Sequence, residues 1–148
     1  GGTMTMFVTQ SPYTLAHGGQ AEWLRNELRA LDVPGNALVI EMRLADAGVH
    51  TGTLREFCSA MVADGVQFCL AQFEPGPEVE SLMEQLPLSL IKLAGKYSTG
   101  ALSVAVRDEL KVIIDRAHRR SLEVIGHGVE DPQAAATLWM SGVDFVQG

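Results

Sequence analysis

Apolar runs alternate with helix-period segments along the whole chain. Short runs bounded by turn residues predict strands at Thr5–Thr9, Ala37–Met42, Val66–Ala71, Ser89–Leu93, Leu122–Ile125 and Val143–Val146. Between them, 3.6-residue spacing predicts helices at about Gln20–Leu31, Thr51–Asp64, Pro77–Gln85, Ser103–Arg119 and Pro132–Ser141. The second helix is the clearest: Leu54, Phe57, Cys58, Met61 and Val62 recur on one face. The first opens on Gly18-Gly19 and turns Ala21, Leu24, Leu28 and Leu31 inward. In the last, Asp131 suits the cap, Pro132 the first helical position and Gly142 the stop.

Strands separated by helices predict βα units, a parallel sheet and right-handed crossovers. A doubly wound sheet and a (β/α)8 barrel both fit. No glycine-rich phosphate fingerprint follows the first strand, which weakens the nucleotide-fold version. A complete barrel needs eight strands and usually more than about 200 residues. This chain has 148 residues and offers six strands. The sheet is therefore open, or the first strands of a barrel lie outside this chain. Nothing in the pattern marks a linker or a second domain.

Composition narrows the function. With 47% hydrophobic and 20% charged residues, the chain can bury a core. No apolar run approaches the ~18 residues of a membrane span, and the start lacks a signal-peptide pattern. A net charge of −7 excludes a broad duplex-binding surface. The basic run Arg116-Ala117-His118-Arg119-Arg120 fits a helix C-terminus, where cations complement the dipole. Cys58 and Cys69 sit in apolar patterns and read as buried thiols of a reducing cytoplasm.

In parallel βα folds, function collects at the C-terminal ends of the strands. Glu41 and Lys92 each interrupt an apolar strand. Charges there demand partners, which are either each other or a ligand. Arg43 lies two residues beyond Glu41; it either aims a fork of donors into the site mouth or has left the strand and is solvated. His127 stands between two glycines with no second His or Cys at metal-ligand spacing. Glu130 precedes the predicted cap and either serves helix electrostatics or reads a ligand.

The order of these strand ends resembles the EAL family of cyclic-di-GMP phosphodiesterases and receptors. Phe7-Val8-Thr9-Gln10-Ser11-Pro12 looks like the family's vNlSp strand end. Leu38-Val39-Ile40-Glu41-Met42-Arg43-Leu44 looks like lvlEiTE. Phe68-Cys69-Leu70-Ala71-Gln72-Phe73-Glu74 stands where iAlDDFG belongs, and Leu86-Pro87 through Ile91-Lys92-Leu93-Ala94 resembles LP…iKiD. Gly126-His127-Gly128-Val129-Glu130 corresponds to AEGVE, and Gln147-Gly148 to a closing QG. The resemblance implies a single partial EAL-like domain over residues 1–148: a TIM-like barrel whose opening strands precede Gly1, within a larger multidomain cytoplasmic chain.

Carried over position by position, the resemblance also implies loss of catalysis. The family's metal-binding Asn is Thr9, its paired aspartates are Ala71 and Gln72, its Asp after the lysine is Ala94, and its penultimate Glu is His127. Only Glu41 and Lys92 remain, too few oxygens for two hard cations. No metal and no catalytic residue are expected. Losing aspartates also removes repulsion of a ligand with two phosphates. The expected cyclic-di-GMP contacts are Glu130, Gln147, Val129, Gly128, Thr9, Ser11, Pro12, Arg43, Glu41 and Lys92. The IGHGVEDPQ loop and the AQFE segment are most similar to FimX-type members, which implies output through a PilZ-domain adaptor in type IV pilus, twitching or biofilm control. A residual metal-dependent phosphodiesterase and a ligand-free scaffold remain the alternatives.

Overall fold

The computed structural model describes residues 6–9, 26, 29–30, 38–48, 51–63, 65–99 and 102–147; for 6–9 it describes the backbone. Most of the predicted first helix lies outside these residues, although Asn26, Arg29 and Ala30 are helical and exposed. The elements are β1 (Met6–Thr9), β2 (Leu38–Arg43), α1 (Leu44–Ala47), α2 (Thr51–Val62), β3 (Gln67–Phe73), α3 (Val79–Gln85), β4 (Leu90–Leu93), α4 (Val104–Arg119), β5 (Glu123–Gly126), α5 (Pro132–Ser141) and β6 (Phe145–Val146). The chain forms two compact units, Gly1–Leu70 with Gly76–Leu88 and Ala71–Pro75 with Ser89–Gly148.

In the first unit the strands follow chain order, β1-β2-β3. β1 and β2 run parallel with Met6 opposite Leu38 and Thr9 opposite Glu41. Every residue of β2 from Leu38 to Met42 is buried. A strand covered on both faces reads as a continuous apolar run rather than an alternating one. α2 lays Leu54, Phe57, Cys58 and Met61 into the core. Phe57 meets Phe68 of β3 edge to face, with centroids 6.2 Å apart. Val62, which the spacing assigns to this face, is 42% exposed because the helix ends there. The Cys58 and Cys69 thiols are buried and form no disulfide.

In the second unit the order is the end of β3, then β4, β5 and β6. β4 and β5 are parallel with Lys92 opposite Ile125; β5 and β6 are parallel with Gly126 opposite Val146. The Ala94 N–H donates to the Phe73 carbonyl, fixing the strand ends side by side. α4 buries Leu110, Ile113, Ile114 and Ala117, and α5 buries Ala134 and Leu138. The Ser103 hydroxyl caps α4 by accepting from the Val106 N–H, and Asp131 caps α5 by accepting from the Gln133 N–H. Gly142 closes α5 at φ 105°, a left-handed position that suits glycine. The basic run does end α4: His118 bonds Asp144 at 2.7 Å and Arg119 bonds Asp115 at 2.9 Å. Neither unit reverses its strand order, as a doubly wound sheet does at its switch point.

Two buried acids give the fold an alkaline limit. Burial pushes the Cys58 thiol from its ordinary 9.0 up to about 12. Burial, reinforced by Glu109, likewise pushes the Tyr97 phenol from 10.0 up to about 12. Both groups keep their protons in the folded state where the unfolded chain has lost them. Their stabilisation is therefore full below about pH 9 and lost as pH rises towards 12. The melting temperature should fall between about pH 9 and 11, and Tyr97→Phe should soften that fall; a flat profile would contradict it.

Candidate functional site

The predicted residues of the first unit stand at the ends of β1 and β2. Thr9 ends β1, in register with Glu41. Glu41 is only 7% exposed and is not without a partner. Arg43 closes β2 with its side chain exposed, so the strand does reach it and its fork emerges where the strand ends. Arg43, too, is partnered. Gln10, Ser11 and Pro12 lie outside the described residues.

The second unit brings the larger group together. Lys92 sits in β4 at 7% exposure, again with a partner. Its register neighbour is Ile125, so the β5 loop begins two residues beyond it. That loop is built by backbone. Gly126 ends β5 directly over α5: a Cβ there would stand 2.6 Å from Leu138 Cδ1, so the close helix-strand approach needs glycine. Gly128 takes φ 73°, which turns the chain back across the strand end. The Val129 N–H then donates to the Gln147 carbonyl at 2.9 Å, and the Gln147 N–H donates to the Gly126 carbonyl at 2.7 Å. Val129 and Gln147 are thus joined through their backbones, and with Gly128 and Glu130 on either side of Val129 they form one patch. Val129 points inward at 9% exposure, while His127 and Glu130 face solvent. Gly148 lies outside the described residues.

Sequence reasoning passed over three features. β3 runs on to Phe73, two residues beyond the predicted strand, with Gln72 at φ 53°. A non-glycine residue in that region is strained, and Asn or Asp tolerates it better than Gln. A 3-10 turn, Gly95–Tyr97, follows β4 directly. Its Lys96 reaches Glu74 at 3.4 Å and Glu109 at 3.6 Å. Desolvation pulls the Lys96 ammonium down, but Tyr97 and the two carboxylates outweigh it and hold its pKa above the ordinary range. Finally, the Ser98 hydroxyl donates to the His127 carbonyl. The only hints of this turn in the sequence are Gly95 and its place after a strand.

The patch offers an exposed carboxylate, Glu130, a glutamine held through its backbone, Gln147, and a buried valine, Val129. A carboxylate accepts from two adjacent N–H groups, as the N1 and N2 edge of guanine offers. The resemblance places metal ligands at positions 71, 72 and 94, among others. Ala71 and Ala94 offer no side-chain lone pair, and Gln72 offers a neutral amide. Among the described residues, no three His, Cys, Asp or Glu side chains gather to hold a metal ion.

The EAL domain family model matches residues 1–148. The FimX EAL domain from Pseudomonas aeruginosa, bound to c-di-GMP, superposes with a TM-score of 0.91 at 26% identity, over 97% of this chain and 60% of that one. The FimX EAL domain of Xanthomonas citri, in complex with c-diGMP, superposes at 0.92 with 22% identity, covering 100% of this chain and 59% of that one; at that identity the likeness is one of fold. An uncharacterized 76.5 kDa protein of Thiocystis violacea is 26% identical over 145 residues, 98% of this chain and 20% of that protein. This chain therefore spans about three fifths of those FimX chains and a fifth of the curated relative.

Proposed function

The chain belongs to the EAL domain family, with its α/β, TIM-barrel type of fold, and on that premise we propose that it is a non-catalytic cyclic-di-GMP receptor. The observation that carries this reading is the patch of Gly128, Val129, Glu130 and Gln147, set at the end of β5 by the backbone bonds of Val129 and Gln147. Glu130 takes the guanine N1 and N2 hydrogens. Gln147 and the Gly128 turn fix the plane in which the base lies, and Val129 floors it. Lys92, Glu41, Arg43, Thr9, Ser11 and Pro12 are proposed as further contacts. Lys92 and Arg43 supply cationic donors suited to phosphate.

Hydrolysis is absent in this proposal because the donors for a two-metal clamp are missing: Thr9, Ala71, Gln72, Ala94 and His127 occupy the positions concerned. The same replacements lower the negative charge a dianionic ligand must approach, so binding needs no metal. We further propose that the output runs through protein contact. We take the partner to be a PilZ-domain adaptor, the setting to be pilus-driven twitching or biofilm control, and the compartment to be the cytoplasm. No helix among the described residues is long and apolar enough to cross a membrane.

The test is calorimetric titration of the full-length protein with cyclic-di-GMP, in EDTA and again with Mg²⁺, with the products analysed afterwards. The expected result is the same affinity in both buffers and intact nucleotide. Turnover with Mg²⁺ or Mn²⁺ would make the protein a phosphodiesterase instead. Silence in both buffers would leave a ligand-free scaffold.

A further inference from the structure

The loop that carries Glu130 is held at two points. One is the pair of backbone bonds between Gly126–Val129 and Gln147. The other is the hydrogen bond from the Ser98 hydroxyl to the His127 carbonyl, which joins residues 29 positions apart. His127 is exposed, so packing does not hold its peptide. The next residue, Gly128, is the one in this loop with the widest backbone freedom. Within the described residues, Ser98 is what fixes the orientation of the His127–Gly128 peptide.

Ser98 is itself firmly placed. The Tyr97 ring beside it is fully buried. The Lys96 ammonium is gripped by Glu74 and Glu109 and lies 5.1 Å from the Tyr97 ring centroid. The Tyr97 N–H donates to the Ala94 carbonyl and the Ser98 N–H to the Gly95 carbonyl. The turn is thus tied to the end of β3, to α4 and to the end of β4, and it presents one hydroxyl to the neighbouring loop.

We propose that Ser98 is a positioning residue for the ligand-reading loop: its hydroxyl latches the His127 carbonyl and sets where Glu130 stands. The effect on nucleotide affinity rests on the receptor reading given above, whereas the latch itself does not.

The experiment uses the full-length protein with Ser98→Ala and Ser98→Thr, the latter keeping the hydroxyl. Without ligand, amide hydrogen exchange at Gly128–Glu130 should quicken about fivefold in the alanine variant, the size expected for one lost hydrogen bond, and stay near wild type in the threonine variant. In calorimetry, cyclic-di-GMP should bind about fivefold more weakly to the alanine variant, with threonine restoring it. Because Ser98 acts through Glu130, adding Ser98→Ala to Glu130→Ala should weaken binding no further, a non-additivity that a general loss of stability would not produce. Unchanged exchange in the alanine variant would overturn the latch, as would quicker exchange in the threonine variant equal to that in alanine. Additive losses would overturn the route through Glu130. If wild type fails to bind while exchange still quickens, the receptor reading falls and the latch stands.

Discussion

Glu130→Ala is expected to weaken cyclic-di-GMP binding by about 1.5–3 kcal/mol, a loss of one to two powers of ten, without lowering the melting temperature. The two halves of that expectation have different causes. In the ligand-free protein Glu130 is exposed, and its removal leaves no buried group unpaired, so the fold should shift by less than about 0.5 kcal/mol. In the proposed complex the carboxylate accepts guanine hydrogens that the base cannot otherwise satisfy once it is covered. Truncation then exposes the full desolvation penalty of those donors, which exceeds the net worth of the hydrogen bonds themselves. Glu130→Gln sharpens the test: it keeps one acceptor but adds a donor that faces the guanine donors, so its affinity should lie close to that of alanine. Calorimetry beside a melting curve reads both halves. An unchanged affinity in a folded variant would remove Glu130 from the site.

How far the chain can be read depends on what each feature is made of. α5 is legible to the residue because both of its ends carry their own chemistry, Asp131 and Pro132 at the start and Gly142 at the stop. α2 is legible in its buried face but not in its end: Val62 keeps the spacing, and only the turn into β3 leaves it exposed. The strand ends follow from apolar runs, so Glu41 and Lys92 announce themselves as charges in the core. The patch is different. Gln147 is joined to Val129, the residue before Glu130, and to Gly126 by backbone bonds, and backbone bonds leave no trace in side-chain pattern. The Ser98 latch is harder still, being one hydroxyl on a three-residue turn with no periodicity. The positive φ of Gln72 is invisible for a related reason: glycine would advertise it, and glutamine does not.

The contact between Gly126 and Leu138 ties the stability of the second unit to the shape of the loop between β5 and α5. Leu138 is fully buried, so Leu138→Ala should destabilise the protein by about 2–5 kcal/mol through lost burial and the cavity left behind. Gly126→Ala acts in the opposite sense. Its methyl would meet Leu138 Cδ1 at 2.6 Å, and because the leucine is packed on all sides it cannot simply rotate away. Overpacking of that kind costs about 1–3 kcal/mol. The two changes oppose each other in space: the methyl added at Gly126 enters the volume that the leucine vacates. The double variant should therefore be more stable than the sum of the two losses, with a coupling of about 0.5–3 kcal/mol that denaturant unfolding of all four proteins would measure. Strict additivity would mean that the helix shifts as a body and that Leu138 is not the wall against which Gly126 is set. Function should follow the same contact. Gly126 accepts from the Gln147 N–H, so pushing β5 off α5 moves Gln147 and, through Val129, the backbone beside Glu130. Gly126→Ala should lose cyclic-di-GMP affinity as well as stability, and adding Leu138→Ala should recover part of the affinity although the protein then lacks a core leucine.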